Sequence, residues 1–248
     1  MKTSEPLVLI AFDLETTGLN PARAEIIEIG AVRFTIDGDV VERFEQLVKP
    51  RTTIPPEIVE STGISDDMVC SAPPIAQVLS RFVDWVGSDD AILVAHNAPF
   101  DSKFLIASLT RIGLCIPRWN VVDTLQWSFS LRVPLTDFRL GTILKALNQP
   151  INPHRALADT EGVVKLVSYL AADYRDPVRE LKRRKKSLEE SAAERSGFPR
   201  RQMTSALLSD TDPATDRQMK YLRHLKVPED QLKGLSKRAA SQLIDRYK

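Results

Sequence analysis

Residues 7–14, LVLIAFDL, run apolar until Asp13, and a short run of that kind followed by Gly18 and Pro21 predicts a buried strand. IIEIGAVRFTI and VVERFEQLV come next, two β-branched stretches joined across Asp37-Gly38. That pair marks a tight hairpin, because both central positions tolerate positive φ. Three antiparallel strands therefore open the chain. A proline-containing loop is expected from Pro50 to Ala72, followed by PIAQVLSRFVDWVG with apolar residues at helical spacing. AILVAH reads as a short buried strand and PFDSKFLIASLTRIG as a helix with Pro99 at its start. Another strand, VVD, and two short helical stretches lead to ALADTEGVVKLVSYLAADY, a long amphipathic helix. The order βββαβαβα predicts an α/β fold with a mixed five-stranded sheet flanked by helices.

Beyond Arg175 the pattern dissolves. RELKRRKKSLEESAAER lacks a clear apolar stripe and reads as a solvated helix, in which Lys185 and Lys186 could pair with Glu189 and Glu190. SGFPRRQMTSALLSDTDPAT is linker-like. Helical periodicity returns at Met219, Leu222 and Leu225, and again at Ala239, Ala240, Leu243, Ile244 and Tyr247, with Ser236 as N-cap. The expected organisation is a first domain over 1–174, a basic linker over 175–214 that is partly helical or disordered, and a small helical module over 215–248.

Composition adds a charge asymmetry. The 248 residues carry a net charge of +1, but residues 1–173 hold 15 Lys+Arg against 22 Asp+Glu, while residues 174–248 hold 19 against 11. A basic second region can touch a polyanion that the acidic first region would repel. The opening residues are too short an apolar run for a signal peptide, and no stretch approaches the ~20 apolar residues of a membrane span, so a cytoplasmic protein is expected. Cys70 and Cys115 stand far apart and in no metal-binding spacing, and are expected to be reduced, buried thiols.

The candidate chemistry lies in four acids. Asp13 and Glu15, two residues apart, share one strand face. Asp101 stands just inside a helix that follows a strand, and Asp159 at the head of the long helix. Strand ends and helix starts can converge at one edge of a sheet, and a carboxylate cluster there suits hard divalent cations such as Mg²⁺ or Mn²⁺. Two such ions would offset the repulsion between Asp13 and Glu15 and clamp the attacking and leaving oxygens of a phosphodiester. His154 precedes Asp159 by five residues; were both helical, they would point about 140° apart. Asn152-Pro153 disfavours helix there, so His154 is expected on the entering loop, where an imidazole suits a general base.

FDLETTG, HNAPFD and the H-x-x-x-x-D spacing of His154 and Asp159 resemble, in order, the three exonuclease motifs of the DEDDh superfamily, the group that includes the proofreading epsilon subunits of bacterial DNA polymerase. The resemblance covers roughly residues 6 to 173. It implies a ribonuclease-H-like fold, two Mg²⁺ or Mn²⁺ ions, and hydrolysis of nucleic acid from the 3′ end to nucleoside 5′-monophosphates. It makes Asp13, Glu15, Asp101 and Asp159 metal ligands and His154 the general base. Thr16, Thr17, Asn97 and Phe100 fall where the family lines the pocket for the terminal nucleotide.

The expected partner is thus a nucleic acid with a free 3′ end, DNA ahead of RNA, in proofreading, repair or DNA processing. An RNA 3′-trimming exonuclease would share every catalytic residue, and an inactive scaffold on a nuclease fold would be expected to lack at least one. QMTSALL, residues 202–208, has a loose likeness to the Gln-plus-apolar peptides that grip sliding clamps, which adds a possible polymerase or clamp contact through the tail. His96 and His224 read as structural, and Asp123 as an N-cap.

Overall fold

The computed structural model describes residues 7–131, 133, 135–149 and 155–196, and beyond them 214, 219, 222–223, 227–232, 234–236, 239–240, 243 and 247. The chain forms two compact units, residues 1–198 and 199–248. Strands β1 (Val8–Thr16), β2 (Ile26–Thr35) and β3 (Val40–Leu47) are antiparallel in sequence order. The turn between β2 and β3 is longer than two residues: Thr35 N donates to Asp39 O, and Gly38 takes the positive φ, 99°. Strands β4 (Ile92–Ala95) and β5 (Asn120–Asp123) run parallel to β1 and, with a sixth strand β6 (Lys186–Ser187), give the sheet order β3-β2-β1-β4-β5-β6. Short helices α1 (Pro56–Thr62) and α2 (Asp66–Val69) fill part of the segment expected to be loop.

Helices cover both faces, as a buried mixed sheet requires. Helices α3 (Ile75–Val86) and α4 (Pro99–Ile112) pack with Ile10, Phe12 and Leu14 of β1. Helices α5 (Thr124–Ser128), α6 (Leu140–Ala146) and α7 (Ala156–Ala172) pack with Leu9 and Ala11. The period of two in β1 thus assigns alternate residues to two separate cores.

Strand β6 (Lys186–Ser187), between α8 (Pro177–Arg184) and α9 (Leu188–Ala193), makes the sheet six-stranded instead of five and places residues 177–193 on the first unit, where a linker was expected. Two leucines explain it. Leu181 is buried in the core beneath α7 and Leu188 in the core beneath α4, so the stretch between them is pinned on both faces of the sheet. Burying each gives about 1.5–3 kcal/mol, enough to dock a segment whose other residues are mostly polar. Ser187 caps α9 in a reciprocal box with Glu190, and Lys186 pairs with Glu194, not with Glu190 as expected.

In the second unit, Leu222, Val227, Leu232 of α10 (Glu229–Leu232) and Ala240 are buried together, and Ser236 Oγ accepts from Ala239 N at 3.2 Å, the predicted cap. His224 and the clamp-peptide-like residues 202–208 lie outside the described residues. Cys70 and Cys115 are free thiols but exposed, against the expectation of burial: each sits at the end of a helix or in the loop after one, where no core reaches. No described helix is long and apolar enough to cross a membrane.

Candidate active site

Asp13 and Glu15 continue the β1 face of Leu9 and Ala11, the face covered by α7. Asp159 lies in the first turn of α7, its N–H donating to Arg155 O at 3.0 Å. One oxygen from each of Asp13, Glu15 and Asp159 lies within 4.8 Å of the others. That is ligand spacing for a hard divalent cation. Burial, then Asp101, Glu15 and Asp159, push the Asp13 carboxyl well above its usual range. Burial, then Asp159 and Glu28, push Glu15 up to about 7, with Arg155 opposing. Three mutually repelling acids in one partly buried place fit a cation, which would remove the cost of holding them ionised.

Asp101 approaches from the other face. It is buried two residues inside α4, and its Oδ1 accepts from Leu14 N, between the two β1 acids, at 3.2 Å. Burial raises its carboxyl, although the hydrogen bond from Leu14 opposes the shift. It stands outside the group of three but beside Asp13, whose ionisation it disfavours.

The start of α7 is held by residues outside the predicted set. Glu28 sits opposite Glu15 in the β1–β2 register, is fully buried, and accepts from Arg155 Nη2 at 2.7 Å and from Ala156 N at 2.9 Å. Arg155 caps the helix by position, so its guanidinium ties the first turn of α7 to β2. Gly30 stands opposite Asp13, and a Cβ there would lie 2.3 Å from the backbone of Ala156. Its missing side chain lets the helix come close enough to bring Asp159 to Asp13. The signals were present: a Glu and a Gly interrupt the apolar run IIEIGAV, and an Arg sits beside His154, but nothing local links residues 127 positions apart.

Thr16 and Thr17 are spent largely on the loop after β1. Thr16 Oγ1 donates to Gly18 O at 2.7 Å, and Thr17 Oγ1 accepts from Glu25 N at 2.9 Å. Leu19 on that loop is 85% exposed, an apolar side chain that the sequence reading did not single out. Asn97 takes a left-handed φ of 69°, and its N–H donates to Asp123 Oδ1 at 3.0 Å. Asp123 also accepts from Leu125 N, the N-cap role expected of it. Phe100 is half-buried against Phe104, with ring centroids 4.9 Å apart. His96 is structural: Nε2 donates to Phe138 O at 2.7 Å, Nδ1 lies 3.0 Å from the Thr124 hydroxyl, and burial lowers its pKa to about 4. His154 lies outside the described residues.

The RNase_T exonuclease family matches residues 10–167, which contain every predicted site residue. A PolC-type DNA polymerase III of Halalkalibacterium halodurans is 38% identical over 165 residues, 66% of this chain and 11% of the polymerase. The chain therefore spans about a ninth of the length of that relative. Among solved structures, the nuclease domain of 3′hExo, a DEDDh family member bound to rAMP, is similar with a TM-score of 0.59 and 24% identity, covering 68% of this chain and 94% of that one. Exonuclease I of E. coli in complex with a dT13 oligonucleotide has a TM-score of 0.61 and 20% identity, covering 70% of this chain and 42% of that one. These two likenesses concern the fold, a ribonuclease-H-like sheet, and the family match covers the strands and helices that carry the acids. The chain belongs to the RNase_T exonuclease family.

Proposed function

We propose that the chain removes nucleoside 5′-monophosphates one at a time from the 3′ end of a single-stranded nucleic acid, DNA ahead of RNA, with two Mg²⁺ or Mn²⁺ ions. The observation that carries this reading is the convergence of Asp13, Glu15 and Asp159 within 4.8 Å, with Asp101 against Asp13. Bound divalent ions would supply Lewis-acid activation of a water and charge stabilisation of the pentavalent phosphate. Asp13, Glu15 and Asp159 would hold them from the β1 and α7 side and Asp101 from the α4 side. His154, from the motif spacing, takes the proton of the attacking water. Thr16, Thr17, Asn97 and Phe100 line the terminal nucleotide, and exposed Leu19 offers an apolar surface to its base. Only an unpaired end can bring its last phosphodiester to acids at a sheet edge. The polymerase relatives and the oligonucleotide held by Exonuclease I support DNA as substrate, whereas rAMP in the 3′hExo domain supports RNA.

The test is release of mononucleotides from a 5′-labelled 20-mer with Mn²⁺, DNA and RNA side by side. A ladder shortening from the 3′ end, absent with chelator and in Asp13→Asn, supports the reading. Faster cleavage of RNA would reverse the substrate preference. A wild-type chain that binds the strand but never shortens it would leave an inactive scaffold.

A further inference from the structure

The run Arg179–Lys186 carries six cations against the single acid Glu180, in a unit whose first 173 residues are net acidic. Such a run is ordinarily a solvated helix face, but here it is fixed. Leu181 and Leu188 are buried in the two cores, Asp176 caps α8 by accepting from Arg179 N at 2.9 Å, and Ser187 and Glu190 cap α9. Helix α9 is bound to α4, the helix that carries Asp101: Ser191 Oγ lies 2.9 Å from Ser102 Oγ, and Lys103 donates to Glu194 O.

Its position follows from the register. Strand β6 runs antiparallel to β5, with Lys186 opposite Val121, so Lys185 and Arg184 lead toward the end of β5 where Asp123 stands. Strands β1, β4 and β5 are parallel, so this is the same sheet edge that holds Asp13 and Glu15. Three strand spacings separate them, about 14 Å. A cleft of about 280 Å³ opens there, lined by Asp123, Gln126, Arg183, Arg184, Lys186 and Glu194. Arg184 is an anchor, stacked 5.2 Å over Trp127 and paired with Glu180 at 2.6 Å. Glu180 also takes Arg183, and Glu194 takes Lys186. Lys182 and Lys185 are exposed, and among the described residues no carboxylate lies within ion-pair distance of either.

We infer that the α8–β6 strap is a second substrate site: Lys182 and Lys185, with Arg183 and Lys186 at the cleft, bind backbone phosphates of the single strand upstream of the scissile bond. This rests on the exonuclease reading for the identity of the strand. The strap offsets the repulsion that an acidic catalytic face imposes on a polyanion, and does so without reading sequence.

The full chain is titrated with a 5′-fluorescein dT20 in EDTA, so that nothing is cleaved, over a series of KCl concentrations. Lys182→Gln with Lys185→Gln should reduce the slope of log affinity against log salt by about 1.4, two phosphates' worth for a single strand. Lys182→Arg with Lys185→Arg, which keeps the charges, should keep the wild-type slope, as should Lys145→Gln with Lys165→Gln, an equal charge change on the outer surfaces of α6 and α7. An unchanged slope in the first variant, an equal loss in the α6–α7 control, or a loss in the Arg variant would overturn the strap. Because no step requires cleavage, a chain that binds with the expected slope but never hydrolyses DNA or RNA rejects the exonuclease reading and leaves the strap standing.

Discussion

Arg155 grips Glu28 with two nitrogens, Nη2 at 2.7 Å and Nε at 3.2 Å, and the same carboxylate takes the Ala156 N–H at 2.9 Å. One buried acid on β2 thereby fixes both the side chain and the backbone at the start of the helix that carries Asp159. Arg155 also lies close enough to oppose the upward shift of Glu15. The pair thus orients one candidate ligand and tempers the charge on another.

Arg155→Ala leaves Glu28 buried without its partner, at a cost of about 3 kcal/mol. It also frees the first turn of α7, so Mn²⁺ affinity should fall roughly 10–100-fold, the usual effect of losing a group that orients a ligand. Arg155→Lys should recover part of the stability but not the two-nitrogen grip. Thermal melts and isothermal titration with Mn²⁺ check both; unchanged metal affinity in a folded Arg155→Ala protein would remove the positioning role.

Gly30→Ala puts a Cβ against the Ala156 backbone, which has no flexible side chain to yield. The helix must move outward or the strand must bend, costing about 1–3 kcal/mol. Nuclease activity should fall further than the loss of stability explains, because the displaced element carries Asp159. Activity at a temperature where the variant is fully folded, set beside its melting curve, separates the two effects.

Asp13→Asn should act in opposite directions on activity and stability. Removing a ligand should reduce the rate more than about a hundredfold, beyond the range seen for groups that merely orient ligands. Without metal it relieves the repulsion from Asp101, Glu15 and Asp159, so the melting temperature in EDTA should rise by about 2–4 °C for each kcal/mol relieved. A lower melting temperature in EDTA would show that Asp13 is not held against its charge.

The Glu15 carboxyl stands at about 7 in the fold against an ordinary 4.5. A raised acid favours the fold while protonated, so its contribution is complete below pH 4.5 and gone once the pH has passed 7. The difference amounts to about 3 kcal/mol. His96, lowered to about 4, gains in the opposite sense as pH rises toward 6.5, so wild type is compared with Glu15→Gln. In EDTA the two should melt alike at pH 4.5 and the variant higher at pH 8; saturating Mn²⁺ should raise wild type above the variant. Equal melting at both pH values would mean that Glu15 is not destabilised by its surroundings.

Much of this molecule was legible in one dimension. The buried strand β1 follows from its unbroken apolar run, the β2–β3 hairpin from a short polar break between β-branched runs, and α4 and α7 from 3.6-residue periodicity. The acids were legible too, because charges that interrupt apolar runs stand out. The sixth strand was not, since Leu181 and Leu188 are two apolar residues in a polar stretch and have no period to reveal them.

Local order in the chain thus determined the kinds of element and the acids that each one carries. The tertiary structure decided which of those acids meet. Asp13 and Asp159 come together because Gly30 leaves room for α7 and Glu28 holds Arg155, and the basic strap reaches the same sheet edge because β6 adds to β5. Close approach, ion pairing and strand addition join residues far apart in the chain, and their energies depend on separation in space, which no local pattern records.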